Sequence, residues 1–176
     1  MHSLSKTGSV GRLFGGPVDL GVLGQCGPLL LRLIVGYGFI VHGYAKLARG
    51  PETFAVVLHT LGAPLPLLLA WLTVVVELVG GIAILIGAFV PIVSVPMAVV
   101  LLTALFTIHR PYGFFSVKLV EVTEMGTKFG PVGYEIILLY LASLAALVLG
   151  GAGPLSVDQW RSRRRTRLAS PPDARP

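Results

Sequence analysis

Cysteine is almost missing from this 176-residue chain, with Cys26 its single representative. One thiol makes no intramolecular disulfide and no CxxC pair, so any redox role has to draw on something other than an internal dithiol. Cysteine clusters for iron–sulfur ligation are excluded on the same ground, and no flavin or nucleotide fingerprint is present. Charge is scarce as well. Charged residues make up 12% of the chain, about half the soluble average of roughly 25%. Acidic groups number only 8 against 14 basic ones, a formal charge of +6. Alternating apolar and polar positions, the mark of a membrane β-barrel, are also lacking. Residues 1–26 are glycine-rich and have no compact apolar core followed by a small-residue cleavage site, so no cleavable signal peptide is expected.

What the chain does contain is apolar surface: hydrophobic residues make up 54%. They gather into four runs, Pro28 to about Leu47, Leu65 to Phe89, Ile92 to Ile108, and Val132 to Leu149. Each is near the roughly 20 residues that cross a hydrocarbon core of about 30 Å. Backbone polar groups cannot be left unpaired in lipid, so runs of this length are expected to be helices. The expected fold is an all-α, four-transmembrane-helix bundle in the inner (plasma) membrane. Between the first two runs, Glu52 to Leu61 predicts a short helix, with Pro51 early in it where a missing N–H costs little.

Six of the basic residues are arginines in the last sixteen positions, "RSRRRTRLASPPDARP". Lys and Arg concentrate on the cytoplasmic side, so both termini are expected there. The chain then divides into a cytoplasmic segment over 1–26, a membrane domain over 27–150 and an Arg-rich cytoplasmic tail over 151–176. The tail is polar and proline-rich, and disorder is expected from about Ser162. Its Arg161, Arg163, Arg164, Arg165 and Arg167 are expected to meet membrane lipids or a partner protein, each basic residue near an anionic leaflet contributing about 1 kcal/mol. The tail has no aromatic interleaving for base stacking, which argues against nucleic acid.

Charges inside the runs carry the functional question. If the first two spans begin at one outer level, Glu77 lies roughly 18 Å deep and Arg32 roughly 22 Å deep. The two are therefore expected to form an ion pair between the first two helices. His42, Lys46, His109 and Glu135 fall in an outer layer. A polar cavity lined by His42, Lys46, Glu77, His109 and Glu135 could relay protons or hold a polar head group. The structural alternative is an Arg32–Glu77 pair that only fixes helix register, with Lys46 snorkelling to the interface. Two rim histidines make no metal site. Gly36, Gly38, Gly43, Gly80, Gly81 and Gly87 would let helices approach closely.

These residues resemble the DoxX family of small four-helix membrane proteins. The matching elements are Arg32-Leu33, Gly36, Phe39, His42-Gly43 and Lys46-Leu47; Glu77 with Gly80-Gly81 and Gly87; His109 with "GFF" at Gly113–Phe115; and "GYE" at Gly133–Glu135. The resemblance covers about residues 27–158. It implies a membrane subunit associated with a terminal oxidase, with thiosulfate:quinone oxidoreductase, or with a thiol- or oxidative-stress complex. On that reading the chain binds quinone or another lipid-soluble molecule, or supports a partner oxidoreductase. The competing readings are a non-enzymatic scaffold or assembly factor and a small-molecule transporter. The latter is disfavoured by the absence of an internal repeat.

Overall fold

The computed structural model describes residues 20–169, with side chains over residues 26–166. Six helices and one hairpin follow in order: α1 (Leu20–Ala48), α2 (Pro51–Thr60), α3 (Pro66–Ile86), α4 (Val90–Ala104), β1 (Leu119–Thr123), β2 (Gly126–Phe129), α5 (Glu135–Gly150) and α6 (Val157–Ala169). Pro51 and Pro66 open α2 and α3 at a position where the absent N–H would have no helical partner. α4 does not stop at Ala104. It widens into a π-turn over Leu105–His109 and tightens into a 3₁₀ turn over Arg110–Tyr112. Pro111 cannot accept a further α-helical turn, because its ring collides with the carbonyl four residues back.

Among the described residues three helices are long and apolar enough to cross a membrane: Cys26–Ala48, Pro66–Ile86 and Val90–Tyr112. α5 is equally apolar but has 16 residues, a rise of about 24 Å. The outward faces are mostly apolar. Leu30, Ile34, Leu68, Val79, Ile92 and Val99 are all exposed, as expected of helices whose surroundings are lipid.

The core lies where α1, α3, α4 and α5 meet, at Val35, Phe39, Ile84, Met97, Leu144 and Leu147. Small residues set the distances within it. A Cβ on Gly36 would stand 2.8 Å from the Gly81 carbonyl oxygen and 2.9 Å from the Leu85 nitrogen. Backbone therefore runs against backbone at the α1–α3 crossing. Gly36→Ala is expected to push the helices apart at a cost of about 1–3 kcal/mol. A lowered Tm of the detergent-solubilised protein would register it, and an unchanged Tm would show that the crossing relaxes freely. Phe39 meets Tyr140 edge to face, with ring centroids 5.7 Å apart, and so ties α1 to α5.

Where disorder is expected from about Ser162, the chain continues as α6 to Ala169, and residues 170–176 lie outside the described residues. The start of α6 is capped: the Ser156 hydroxyl accepts the Gln159 N–H at 3.2 Å. The long connection after α4 holds an antiparallel hairpin, with Thr123 paired to Gly126 and Leu119 to Phe129. Most of the segment expected on the cytoplasmic side over 1–26 lies outside the described residues.

Candidate functional site

Antiparallel packing gives the bundle two ends. At one, α1 begins, α3 ends, α4 begins and α5 ends. At the other, α1 ends, α3 begins, and the hairpin joins α4 to α5. Arg32 belongs to the first end and Lys46 to the second.

Arg32 is 2% exposed, and its partner is not Glu77. All five of its N–H groups donate to carbonyls. Nε reaches Ile84 O at 3.2 Å, and one terminal nitrogen reaches Ala152 O at 3.1 Å and Pro154 O at 3.2 Å. The other reaches Leu85 O at 2.8 Å and Leu155 O at 3.2 Å. Ile84 and Leu85 close α3, where carbonyls run short of i+4 helical donors; the Gly87 N–H reaches only Ile84 O, at 3.0 Å. A cation suits this negative end of the helix dipole. Gly87, in the left-handed conformation at φ 67°, ends α3 here, and a Cβ on it would meet Ser156 and the Arg32 guanidinium. Arg32 thus clasps the end of α3 to the chain between α5 and α6.

Glu77 is 5% exposed, and its ion-pair partner is Lys46. The ammonium lies 2.7 Å from one carboxylate oxygen and 2.6 Å from the other. The expected Arg32–Glu77 pair is therefore replaced by Lys46–Glu77, and Lys46 does not simply snorkel to the interface. The reason is the level of α3. Gly43, not Arg32, packs on Glu77 and Leu78, where an added Cβ would stand 3.0 Å and 2.9 Å away. α3 thus extends well past the end of α1, and α2 folds back to cover the overhang. The error in the depth count is about two turns, or roughly 12 Å. Side chains on a helix lean toward its N-terminus, so Lys46 reaches back over the turn that Gly43 leaves empty. Phe54 of α2 completes the setting, with its ring centroid 5.2 Å from the Lys46 ammonium. Missing from the sequence reading, Phe54 is an aromatic in the first turn of a helix that had already been anticipated.

The remaining residues expected in the cavity do not converge on this pair. His42 is exposed on α1, so it does not share the buried face of Glu77. His109 Nδ1 lies 2.8 Å from the Val132 carbonyl oxygen. That oxygen only accepts, so Nδ1 carries the proton and donates. Glu135 accepts the Ser116 N–H at 3.1 Å, and the Ser116 hydroxyl accepts the Ile136 N–H at 3.3 Å. His109 and Glu135 thus clasp the two flanks of the hairpin connection. One shared cavity is replaced by a buried ion pair and two loop clasps. An open apolar cleft of about 670 Å³ lies at the same end of α3, lined by Leu65, Pro66, Leu67, Leu68 and Trp71. Among the described residues no group of three or more His, Cys, Asp or Glu side chains is placed to hold a metal ion.

Comparison with known proteins adds a family. Residues 27–110 match the DoxX family model, a span that includes Arg32, Lys46 and Glu77. An uncharacterized protein of Haemophilus influenzae is 30% identical over 130 residues, covering 73% of this chain and 85% of that one. A Bacillus subtilis protein named "Putative oxidoreductase CatD" is 36% identical over 84 residues, 48% of this chain and 60% of that one. No solved structure matches. The apolar helices and these matches agree: this multi-pass membrane protein belongs to the DoxX family.

Proposed function

We propose that this chain is a redox-associated subunit of the bacterial inner (plasma) membrane, in which the Lys46–Glu77 pair meets the polar head of a quinone-like, lipid-soluble molecule. The observation that carries this reading is the pair itself. A 7%-exposed carboxylate side chain held by an ammonium at 2.6 Å is costly to maintain among membrane helices, and such groups usually mark a ligand or proton path. An ammonium can donate to a quinone carbonyl, and the neighbouring carboxylate can exchange protons with it. Phe54 offers a ring face at the same point. Electrons would come from a partner oxidoreductase. The name of the Bacillus subtilis relative points in the same direction.

This reading takes α5 as the fourth span, lengthened by its flanking residues. Both termini are cytoplasmic, because the Arg-rich α6 follows α5 directly. The test is titration of the purified full chain in nanodiscs with ubiquinone-1, followed by tryptophan quenching. Saturable binding is expected, weakened about tenfold or more in Glu77→Gln, the loss of a charge-assisted contact. Equal binding by the variant would overturn the reading.

A second reading, a non-enzymatic scaffold, rests on the bidentate closure of the pair. Both carboxylate oxygens are already held by Lys46, as a pair that only sets helix register would be.

A further inference from the structure

We infer that α6 is a preformed docking surface for the anionic phospholipid head groups of the leaflet where α3 ends and α4 begins. The inference does not rest on the quinone reading. It starts from how α6 is held. The Asp158 carboxylate accepts the Phe89 N–H at 2.9 Å and the Val90 N–H at 3.0 Å. The Asp158 N–H donates in turn to the Gly87 carbonyl at 2.9 Å. The first turn of α6 therefore caps the start of α4 and is pinned to the α3–α4 turn. That turn joins two helices long and apolar enough to cross the membrane, so it marks the edge of the hydrocarbon.

The side chains at this level are those of a membrane boundary. The Arg161 guanidinium stacks 4.5 Å from the ring centre of Phe89, and that of Arg164 lies 5.2 Å from Trp160. Trp160 is 59% exposed and Leu155 83%. Aromatic rings gather where the acyl chains meet the head groups.

Beyond this belt the helix carries charge of one sign. Arg161, Arg163, Arg164, Arg165 and Arg167 follow within two turns. At 100° per residue they surround the helix axis rather than form one stripe. Several are three or four apart, and like charges at that spacing destabilise a helix. Asp158 is the one acid in α6, and it is committed to α4. Among the described residues no other carboxylate pairs with these arginines, so negative charge from outside the chain can compensate them. A leaflet of phosphodiesters supplies it at the required level, and guanidinium groups bind phosphate oxygens in bidentate fashion. Exposed Trp160 and Leu155 fit an acyl boundary and have no role in binding a soluble polyanion.

The test is hydrogen exchange of α6 amides in the full chain, reconstituted in nanodiscs of phosphatidylcholine alone or with a third of the lipid as phosphatidylglycerol. The anionic lipid is expected to raise protection over residues 161–169 by about tenfold or more, and added salt should reverse the gain. The triple variant Arg163→Gln, Arg164→Gln, Arg165→Gln should show no gain. These three side chains are exposed and hold nothing in the bundle, so unchanged protection in α3 and α4 will show that the variant is folded. Equal protection in the two lipids, or a gain retained by the triple variant, would overturn the inference. So would inorganic phosphate or a short RNA reproducing the gain in neutral nanodiscs.

Discussion

Arg32→Ala is expected to lower the stability of the detergent-solubilised protein by about 4 kcal/mol, the range for removing one partner from a buried charged network. For a chain of this length that corresponds to a fall in Tm of roughly 10 °C. The size follows from the count of bonds. Five N–H donors meet five carbonyl oxygens, and truncation removes a donor from each, with only Ile84 keeping a backbone partner in the Gly87 N–H. Ile84 and Leu85 lose their cap, and the segment from Ala152 to Leu155 loses its hold on the bundle. Arg32→Lys should fall between, since an ammonium offers three donors and no planar fork. Hydrogen exchange should show the loosening spreading into the first turn of α6. A double-mutant cycle between Arg32 and Glu77 should give no coupling, as the two belong to opposite ends. A cycle that does couple them, or an alanine variant with wild-type Tm, would remove the clasp from this account.

The apolar runs mark α3, α4 and α5 to within a few residues, and the end of α1 though not its start at Leu20, because backbone in lipid has one economical solution at that length. The short helix after Pro51 is readable for a similar local reason. Depth is harder to read. Counting Glu77 from Leu65 assumes that α1 and α3 start level, and no residue in either run says otherwise. What sets the offset is α2, whose Pro51 and Ala55 are buried, and the Gly43 contact with Glu77 and Leu78. Both are tertiary facts. The same offset explains why Arg32 meets carbonyls: at its level α3 has already ended.

The tail and hairpin were missed for different reasons. Composition alone makes "RSRRRTRL" look disordered, since it has almost nothing to bury. Its helix is instead held at its first turn, by Asp158 bonded to the start of α4 and by Ser156 as its own cap. "LVEVTEMGTKF" alternates as a strand does, and Gly126 at φ 144° marks the turn. The signal was present but short, inside a connection with no core to face. Depth alone puts His42 in the outer layer and says nothing of which way it faces. The buried stripe of α1 runs through Arg32, Val35, Gly36, Phe39 and Gly43, and His42 stands beside that stripe rather than on it.

Lys46 and Glu77 allow the two functional readings to be separated by stability and activity together. Lys46→Met alone should cost about 3–5 kcal/mol, because it leaves the Glu77 carboxylate buried without a partner. Glu77→Leu alone should cost less, about 1–2 kcal/mol. The Lys46 side chain is 22% exposed against 7% for Glu77, so its ammonium can turn toward water while its stem stays packed. The double variant Lys46→Met, Glu77→Leu removes both charges at similar volume, and such replacements are often neutral or stabilising by about 1–4 kcal/mol. Tm should therefore recover to the wild-type value or above it. Recovery of the fold then isolates chemistry. If the pair handles a quinone head, the double variant is stable yet fails to bind ubiquinone-1 and fails to support a partner oxidoreductase. If the pair only sets the register of α1 on α3, the double variant is stable and active. A double variant less stable than either single one would contradict both readings, because it would mean that Lys46 and Glu77 each contribute through neighbours other than one another.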